Sequence, residues 1–315
     1  MKIVVTGALG HIGSKLIREL PKSFPESEIV LLDNFLTQRY CSLFNLPKGN
    51  YRFLEVDILN ADLETIFTGA NAVIHLAAIT DAASSFDKKE LVETINLNGS
   101  ERVALACGKS NVPLIALSTT SVYGTQNEIV DENCAESELS PQSPYAESKL
   151  AMEKMLRKLG NEKKLNFTIF RFGTIFGISP GMRFHTAVNK FVWQACMGLP
   201  ITVWKTAMYQ ERPYLDLNDA CQAIEFVIKQ NIFDNEIYNV LTLNATVNGI
   251  IAVIKKHIKN VEIKFVDNPI MNQLSYCVSN KKFCSKGFIF NGNLDRSIKE
   301  SIQLLSLGRS YVSES

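Results

Sequence analysis

The sequence has no excess of charge of one sign and no long apolar run. Its 315 residues include 33 Lys and Arg against 32 Asp and Glu, a net charge of +1. Nucleic acids and anionic membranes attract a clustered basic surface, and a bilayer-spanning helix needs about 20 consecutive apolar residues. We therefore expect neither a nucleic-acid partner nor a membrane attachment.

Patterns typical of metal sites and disulfides are also missing. Seven cysteines occur, an odd number, and no two of them form a C-x-x-C pair. The four histidines, His11, His75, His185 and His257, are equally scattered. The sequence therefore predicts no metal site and no disulfide framework, and it indicates a reduced, cytoplasmic protein.

What is present is an alternation of strand-length apolar runs and helical stretches through the first half of the chain. This alternation predicts an α/β fold in which helices cover both faces of a parallel sheet. The predicted strands are 2–6, 28–33, 52–57, 72–78, 113–118 and 166–173, and the predicted helices lie near 11–20, 61–67, 87–108 and 144–160.

A glycine-rich turn follows the first strand. "TGALGHIG" places Gly7, Gly10 and Gly13 between strand and helix, where bare backbone and a helix N-terminus can receive a pyrophosphate. Asp33 ends the second strand about 20 residues later, where an acid binds the ribose hydroxyls of NAD and repels the 2′-phosphate of NADP. A cap of the next turn is the alternative role for Asp33. Together these features predict a Rossmann-type doubly wound parallel sheet that binds NAD.

The regular alternation ends near residue 173, and the chain is long for one compact unit. We expect an NAD-binding domain at 1–172, completed by about 213–240. A smaller mixed α/β C-terminal domain, at 173–212 and 241–315, would bind the substrate.

Tyr145 and Lys149, in "SPYAESK", lie four residues apart in a predicted helix. One helical turn separates them, so the phenol and the ammonium share a face. A free tyrosine has a pKa of about 10, and a neighbouring ammonium favours the phenolate. The pair is either a surface ion pair or a base with the cation that activates it.

Several ordered motifs carry a resemblance to a known family. Beside the glycine turn, with its Gly-x-x-Gly-x-x-Gly spacing, they are "HLAA" (75–78), "STTSVYG" (118–124), "YAESK" (145–149), "RFGTIFG" (171–177) and "ERPYLDLNDA" (211–220). The chain resembles the extended short-chain dehydrogenase/reductase family, and within it the NAD-dependent nucleotide-sugar epimerases and dehydratases.

The resemblance implies roles for individual residues. Tyr145 would be the catalytic base, with Lys149 and Thr119 assisting it, although the threonine could merely end a strand. His75, at a strand end, is expected to be structural. The implied cofactor-binding residues are Gly7, Gly10, His11, Ile12, Gly13, Asp33, Asn34, Asp57, Ile58, Leu76, Ala77, Ala78, Asn96, Ser118, Tyr145, Lys149 and Phe172.

The resemblance also implies a nucleotide-diphosphate sugar as substrate. Arg212 matches an arginine that binds the substrate diphosphate; an ion pair with Asp216 or Glu211 is its alternative role. No second diphosphate arginine is evident near the end of the chain, so hydrogen bonds would replace it there. The implied substrate-binding residues are Thr80, Thr119, Thr120, Thr174, Arg183, Arg212, Gln273 and Tyr276.

The reaction follows from what stands after Thr119. Dehydratases of the family carry Asp-Glu there, and this chain has Thr120 and Ser121. Dehydration is therefore disfavoured, and the resemblance implies epimerisation, most simply at C4, through a transient 4-keto sugar. A net reductase or dehydrogenase, a dehydratase, and a dinucleotide-binding protein without catalysis are the alternatives. By analogy we expect a homodimer that pairs the helices within 88–107 and 143–158.

Overall fold

The computed structural model describes residues 1–82, 84–124, 126, 129–267 and 275–306. The strands are β1 (Lys2–Thr6), β2 (Glu28–Asp33), β3 (Asn50–Glu55), β4 (Ala72–His75), β5 (Leu114–Thr119), β6 (Ile129–Val130), β7 (Phe167–Phe172), β8 (Thr174–Phe176), β9 (Ile201–Trp204), β10 (Glu211–Asp216), β11 (Glu236–Val240), β12 (Leu243–Thr246), β13 (Ile263–Val266) and β14 (Cys277–Val278). The α-helices are α1 (His11–Ser23), α2 (Leu63–Phe67), α3 (Lys89–Glu93), α4 (Gly99–Lys109), α5 (Pro144–Asn161), α6 (Ala187–Cys196), α7 (Leu217–Gln230), α8 (Val247–His257), α9 (Lys281–Cys284) and α10 (Leu294–Ser306).

A seven-stranded parallel sheet forms the centre of the fold. Its strand order is β11-β7-β5-β4-β1-β2-β3. The order reverses between β1 and β4, which is where a doubly wound sheet opens a crevice at the carboxyl ends of its strands. The predicted Rossmann-type fold class is confirmed.

Side chains alternate across this sheet and bury both of its faces. On β1, Ile3 and Val5 join a core with α1 and α7, whereas Val4 points to the opposite core with α4 and α5. All three are fully buried. The same two-residue period repeats on β2, β4, β5 and β7, because consecutive Cβ atoms of a strand point to opposite faces. Such double burial explains why these strands read as continuous apolar runs.

A second, smaller region packs beside the carboxyl ends of the central strands. It contains a three-stranded sheet, β12-β10-β8, and the parallel pair β13-β9. Its own core joins side chains of α6, α8 and α10. This region supplies the outer wall of the site described below.

The predicted helix over 87–108 is wrong in one respect. A wider π turn, Thr94–Asn98, separates α3 from α4. It holds Asn96 fully buried, with its amide bonded to the backbone of Ile79 and to Ser148 Oγ. Sequence periodicity missed the turn because its reason lies in contacts with residues 17 and 52 positions away.

Candidate active site

A cavity of about 380 Å³ lies at the reversal of strand order. Its inner wall comes from the turn after β1, the segment after β4, the ends of β5 and β7, and the start of α5. Its outer wall comes from β8, α6, β9 and β10. The predicted cofactor residues on its wall are Gly7, Gly10, His11, Ile12, Gly13, Leu76, Ala78, Ser118, Tyr145, Lys149 and Phe172.

The glycine turn is shaped by close backbone approaches. Gly7 has a φ of +65°, and a Cβ there would lie 2.5 Å from the backbone nitrogen of Ala77. A Cβ on Gly13 would lie 2.5 Å from the carbonyl oxygen of Gly7. Gly10, by contrast, faces open space apart from one contact at 3.3 Å. The first and third glycines therefore permit the turn, and the second leaves bare backbone facing the cavity.

Asp33 and His11 hold this turn in place. Both carboxylate oxygens of Asp33 accept backbone N–H groups, from Leu9 at 3.0 Å and from Phe35 at 3.0 Å. Asp33 thus caps the following turn, which is the alternative role predicted for it. Because the carboxylate is partly exposed, it can also accept ribose hydroxyls. His11 Nε2 lies 3.0 Å from the carbonyl oxygen of Gly177. Burial lowers the pKa of His11 to about 4, so the ring is neutral at pH 7.

Helix α5 presents the predicted catalytic pair. Ser143 caps its start by accepting the N–H of Ala146 at 3.2 Å, and Pro144 occupies the first turn. Tyr145 and Lys149 both line the cavity one turn apart, and Thr119 lines it from the end of β5. The surface-pair alternative is excluded, because the Lys149 side chain is buried.

Burial and the neighbouring polar groups act in opposite directions on the pKa of Tyr145. Burial raises its pKa to about 12, against a hydrogen bond with Thr119 and the charge of Arg183, which both lower it. The charged side chain that lowers it most is thus Arg183 rather than Lys149. Desolvation therefore outweighs the nearby charges in setting the pKa of Tyr145. That the ammonium of Lys149 favours the phenolate stays a prediction.

Lys149 lies one helical turn before Glu153, which forms a buried ion pair with Arg171. Arg171 donates to both carboxylate oxygens of Glu153, at 3.0 and 2.6 Å, and Ser118 Oγ donates to the same carboxylate at 2.5 Å. Burial lowers the pKa of Lys149 to about 8, while Glu153, one turn further along α5, raises it. Lys149 is therefore still mostly an ammonium at pH 7.

Other predicted cofactor residues lie outside the cavity wall. Asp57 accepts from Asn34 Nδ2 at 3.1 Å and from the Leu59 N–H at 2.8 Å. Ile58 and Asn96 are buried, and Ala77 packs against Gly7. The amide of Asn96 binds the backbone of Ile79 and Ser148 Oγ, and its direct contact with the cofactor stays a prediction.

His75 is structural, as predicted. Its Nδ1 lies 2.7 Å from Thr6 Oγ1, and its Nε2 lies 2.9 Å from Ser100 Oγ. Burial lowers its pKa to about 3, and the charge of Lys149 adds to that effect. A neutral ring therefore ties the ends of β1 and β4 to α4.

The predicted substrate residues divide into two groups. Thr80, Thr119, Thr174, Arg183 and Arg212 line the cavity. Thr120 and Tyr276 are buried beside it, with their hydroxyls 3.4 Å apart. Gln273 lies outside the described residues.

The two proposed alternative partners of Arg212, Asp216 and Glu211, are engaged elsewhere. Glu211 Oε2 accepts Cys277 Sγ at 2.7 Å. Asp216 caps α7 through the N–H of Asn218 at 2.8 Å and accepts Ser297 Oγ at 2.5 Å. Arg212 makes only a long contact, 3.5 Å, to Gln210 Oε1 among the hydrogen bonds of the described residues. Its guanidinium on the cavity wall is therefore available to an anion.

Several further wall residues are not among the predicted site residues. Among them are Ser121, Asp81, His185, Lys190 and Trp204. Ser121 could have been found, since it stands two residues after Thr119 and donates its N–H to that hydroxyl at 3.1 Å. The others come from irregular segments or from α6 and β9, and only the fold brings them to the site.

The donor set fits a dinucleotide. Bare backbone at the helix N-terminus and the Tyr–Lys pair lie on one cavity wall, and Asp33 accepts a backbone N–H of the same glycine turn. Among the described residues, no group of three or more His, Cys, Asp or Glu is arranged to hold a metal ion. In the same residues, no helix is long and apolar enough to cross a membrane.

Comparison with known proteins agrees with this geometry. A protein of Bacillus subtilis (strain 168), named an uncharacterized UDP-glucose epimerase, is 30% identical over 250 residues, which cover 76% of each chain. A trifunctional enzyme of Arabidopsis thaliana, which includes a UDP-glucose 4,6-dehydratase activity, is 28% identical over 95% of this chain and only 46% of its own length.

A solved structure is also similar across the whole chain. The UDP-glucuronic acid 4-epimerase of Bacillus cereus superposes with a TM-score of 0.87 at 24% identity, covering 99% of this chain and 100% of that one. Identity this low shows a shared fold alone. Residues 3–240, however, match a family described by its NAD dependence. On this match, the chain belongs to the NAD-dependent epimerase/dehydratase family.

Proposed function

We propose that this protein is an NAD-dependent epimerase that inverts C4 of a nucleotide-diphosphate hexose, with a UDP-hexose as the first candidate. The observation that carries the proposal is the convergence of Tyr145, Thr119 and Lys149 on the cavity wall that also holds the glycine turn. The named activities of the Bacillus subtilis and Bacillus cereus relatives supply the UDP-sugar candidate.

The chain's own groups suit a single-base reaction. Tyr145 would take the proton of the sugar hydroxyl at C4, and Thr119, hydrogen-bonded to the phenol, would orient it. Lys149, charged and buried, would favour the phenolate. The glycine turn would hold NAD, whose chemistry would be reversible hydride transfer at C4. Arg212 would hold the substrate diphosphate.

Elimination of water needs a further acid and base, and the chain does not provide them at the expected place. Thr120 is buried with its hydroxyl 3.3 Å from the carbonyl oxygen of Phe172, and Ser121 has only a hydroxyl to offer. Neither side chain exchanges protons readily at neutral pH. This composition favours epimerisation over the dehydratase alternative.

The test is an NMR assay of the full-length protein with NAD and UDP-, dTDP-, GDP- and CDP-hexoses. We expect a C4-epimeric product without net change in NADH absorbance. A steady absorbance change would identify a net reductase or dehydrogenase, and a 4-keto-6-deoxy product would identify a dehydratase.

The Tyr145→Phe variant is the control for the base. Loss of general-base catalysis typically lowers the rate by 10²–10⁴-fold, and we expect a loss of about 10³-fold. NAD binding should persist, because the phenyl ring keeps the shape of the wall. Full activity of this variant would contradict the assignment of Tyr145.

We also propose the finer organisation that the sequence predicted. An NAD-binding domain of 1–172 with 213–240 is supported by β11 joining the central sheet beside β7. The remaining segments, 173–212 and 241–315, would bind the sugar. A homodimer is supported by Leu91 and Leu105, which are exposed on α3 and α4 within the predicted interface. A cytoplasmic location is supported by the odd number and scattered spacing of the cysteines.

A further inference from the structure

Two arginines near the glycine turn have buried nitrogens without a partner. In the portion of the chain that the structure describes, Arg39 Nη1 and Arg183 Nε are the buried side-chain nitrogens that lack a hydrogen bond. Leaving a buried donor unpaired costs about 1–3 kcal/mol. An unpaired buried donor in a folded protein needs an explanation, and one explanation is that the donor binds a ligand.

The loop that carries Arg39 is fastened to the glycine turn. Ser42 Oγ donates to the carbonyl oxygen of Leu9 at 2.8 Å. The bend before it is shaped by Phe35 and Gln38, whose φ angles are 52° and 51°, and by the stacking of Phe35 on Tyr40 with ring centroids 4.1 Å apart. The position of Arg39 is therefore set by the fold and not by a flexible tail.

The loop that carries Arg183 contacts the same glycine turn, although it is far from that turn in the sequence. Ser179 Oγ donates to the carbonyl oxygen of His11 at 2.9 Å. The N–H of Gly181 donates to Ser14 Oγ at 2.9 Å, and a Cβ on Gly181 would lie 2.5 Å from the Leu9 carbonyl oxygen. This close packing requires glycine and brings the following residues to the cavity.

The two loops also contact one another. Cys41 Sγ donates to the carbonyl oxygen of Pro180 at 3.4 Å. Arg183 donates to Thr80 Oγ1 and lines the cavity near Tyr145. Arg39 and Arg183 thus belong to neighbouring loops that both rest on the glycine turn.

The charges of this cluster favour an anion. Burial and, after it, the charge of Arg39 lower the pKa of Arg183 to about 10, so this guanidinium remains charged at neutral pH. Burial also lowers the pKa of Arg39, and arginine side chains keep their proton in proteins. Asp33 and Asp81 act in the opposite direction on the pKa of Arg183. The two guanidiniums, carried by loops that rest on the glycine turn, repel each other, and an anion between them would relieve that repulsion.

We propose that Arg39 and Arg183 together bind the diphosphate of the dinucleotide. The proposal rests on the NAD-dependent function proposed above and deepens it. It gives Arg183, which the resemblance assigned to the sugar nucleotide, a role toward the cofactor. The guanidinium fork suits phosphate oxygens, and the bare backbone at Gly10 offers a second set of donors.

The test is calorimetric titration of cofactor-free, full-length protein with NAD, ADP and adenosine, without any sugar nucleotide. For Arg39→Gln and for Arg183→Gln we expect NAD and ADP to bind about 10–100-fold more weakly, the effect of losing a charged hydrogen bond. Adenosine, which has no diphosphate, should bind as it does to the unaltered protein. Arg52→Gln, at an exposed position of β3, is the matched control and should change none of the three affinities.

Arg39→Lys and Arg183→Lys guard against misfolding, since they keep the charge, and their affinities for NAD should fall between those of the unaltered protein and the glutamine variants. Unchanged NAD affinity in both glutamine variants would overturn the proposal. So would an equal loss of adenosine affinity, or an effect of Arg183→Gln on sugar-nucleotide binding alone. If the protein binds NAD but epimerises no sugar, the proposed function fails while this inference stands.

Discussion

The two walls of the cavity are built in different ways. The inner wall beside β1 is backbone from one continuous segment, the turn from Gly7 to Gly13, fixed by close approaches of 2.5 Å. The outer wall is made of single side chains, such as Thr174, Lys190 and Arg212, delivered by separate elements. Backbone geometry tolerates few substitutions, whereas a wall of side chains can change one group at a time. We therefore expect a substitution in the glycine turn to lower stability and NAD binding together. A substitution in the outer wall should remove only the interaction of the replaced side chain.

The largest effect is expected on the inner wall, from Gly7→Ala. The new Cβ would lie 2.5 Å from the Ala77 nitrogen, and the positive φ alone costs about 1–2 kcal/mol. We expect a loss of about 3 kcal/mol in the free energy of unfolding together with loss of NAD binding. Gly10→Ala is the comparison, since its Cβ would meet one oxygen at 3.3 Å. Denaturant unfolding and NAD titration measure both, and equal stability of the two variants would refute the distinction.

A smaller and more selective effect is expected on the outer wall. Arg212→Gln should weaken binding of the nucleotide sugar by about 2 kcal/mol, the usual worth of a charged hydrogen bond. Stability and NAD affinity should hardly change, because Arg212 makes only the long contact to Gln210. Titration with substrate and with NAD separates the two. A parallel loss of NAD affinity would mean that the walls are not independent.

The smallest effect concerns the pH dependence of the free energy of unfolding, which the buried rings of His75 and His11 influence. His75 takes up its proton near pH 3 when folded and near pH 6.5 when unfolded, because burial lowers its pKa. The unfolded state therefore binds more protons between these values, and stability falls as the pH drops below 6.5. Each such group contributes about 1.4 kcal/mol per pH unit. His11, with a pKa of about 4, adds a similar slope down to that pH.

The variant His75→Gln should remove its share of that slope, although it lowers stability at neutral pH by losing the contacts to Thr6 and Ser100. Denaturant unfolding between pH 5 and pH 7 measures the slope. His257→Gln is the control, because His257 lies at the end of α8 beside Asp295, outside the sheet. An unaltered slope in His75→Gln would show that the ring is not held neutral.

Much of the inner wall could be read from the sequence because its determinants are local. β2 and its Asp33 are found where predicted, and β3 lies two residues earlier than the predicted strand. The outer wall could not be read in this way. Lys190 and Trp204 line the cavity but belong to no sequence motif. Arg39 has no sequence feature that marks it, and the hydrogen bond between Ser42 and Leu9 holds its loop beside the glycine turn.

The order of strands and helices, the glycine turn and the Tyr145–Lys149 spacing were determined by the sequence itself. Each depends on a period or a steric need that operates over a few neighbouring residues. Only the tertiary structure decided that the amide of Asn96 binds the backbone of Ile79, and that burial outweighs the charge of Arg183 in setting the pKa of Tyr145. It also decided that the loops of Arg39 and Arg183 meet. These outcomes depend on desolvation and on contacts between distant segments, which exist only once the chain has folded.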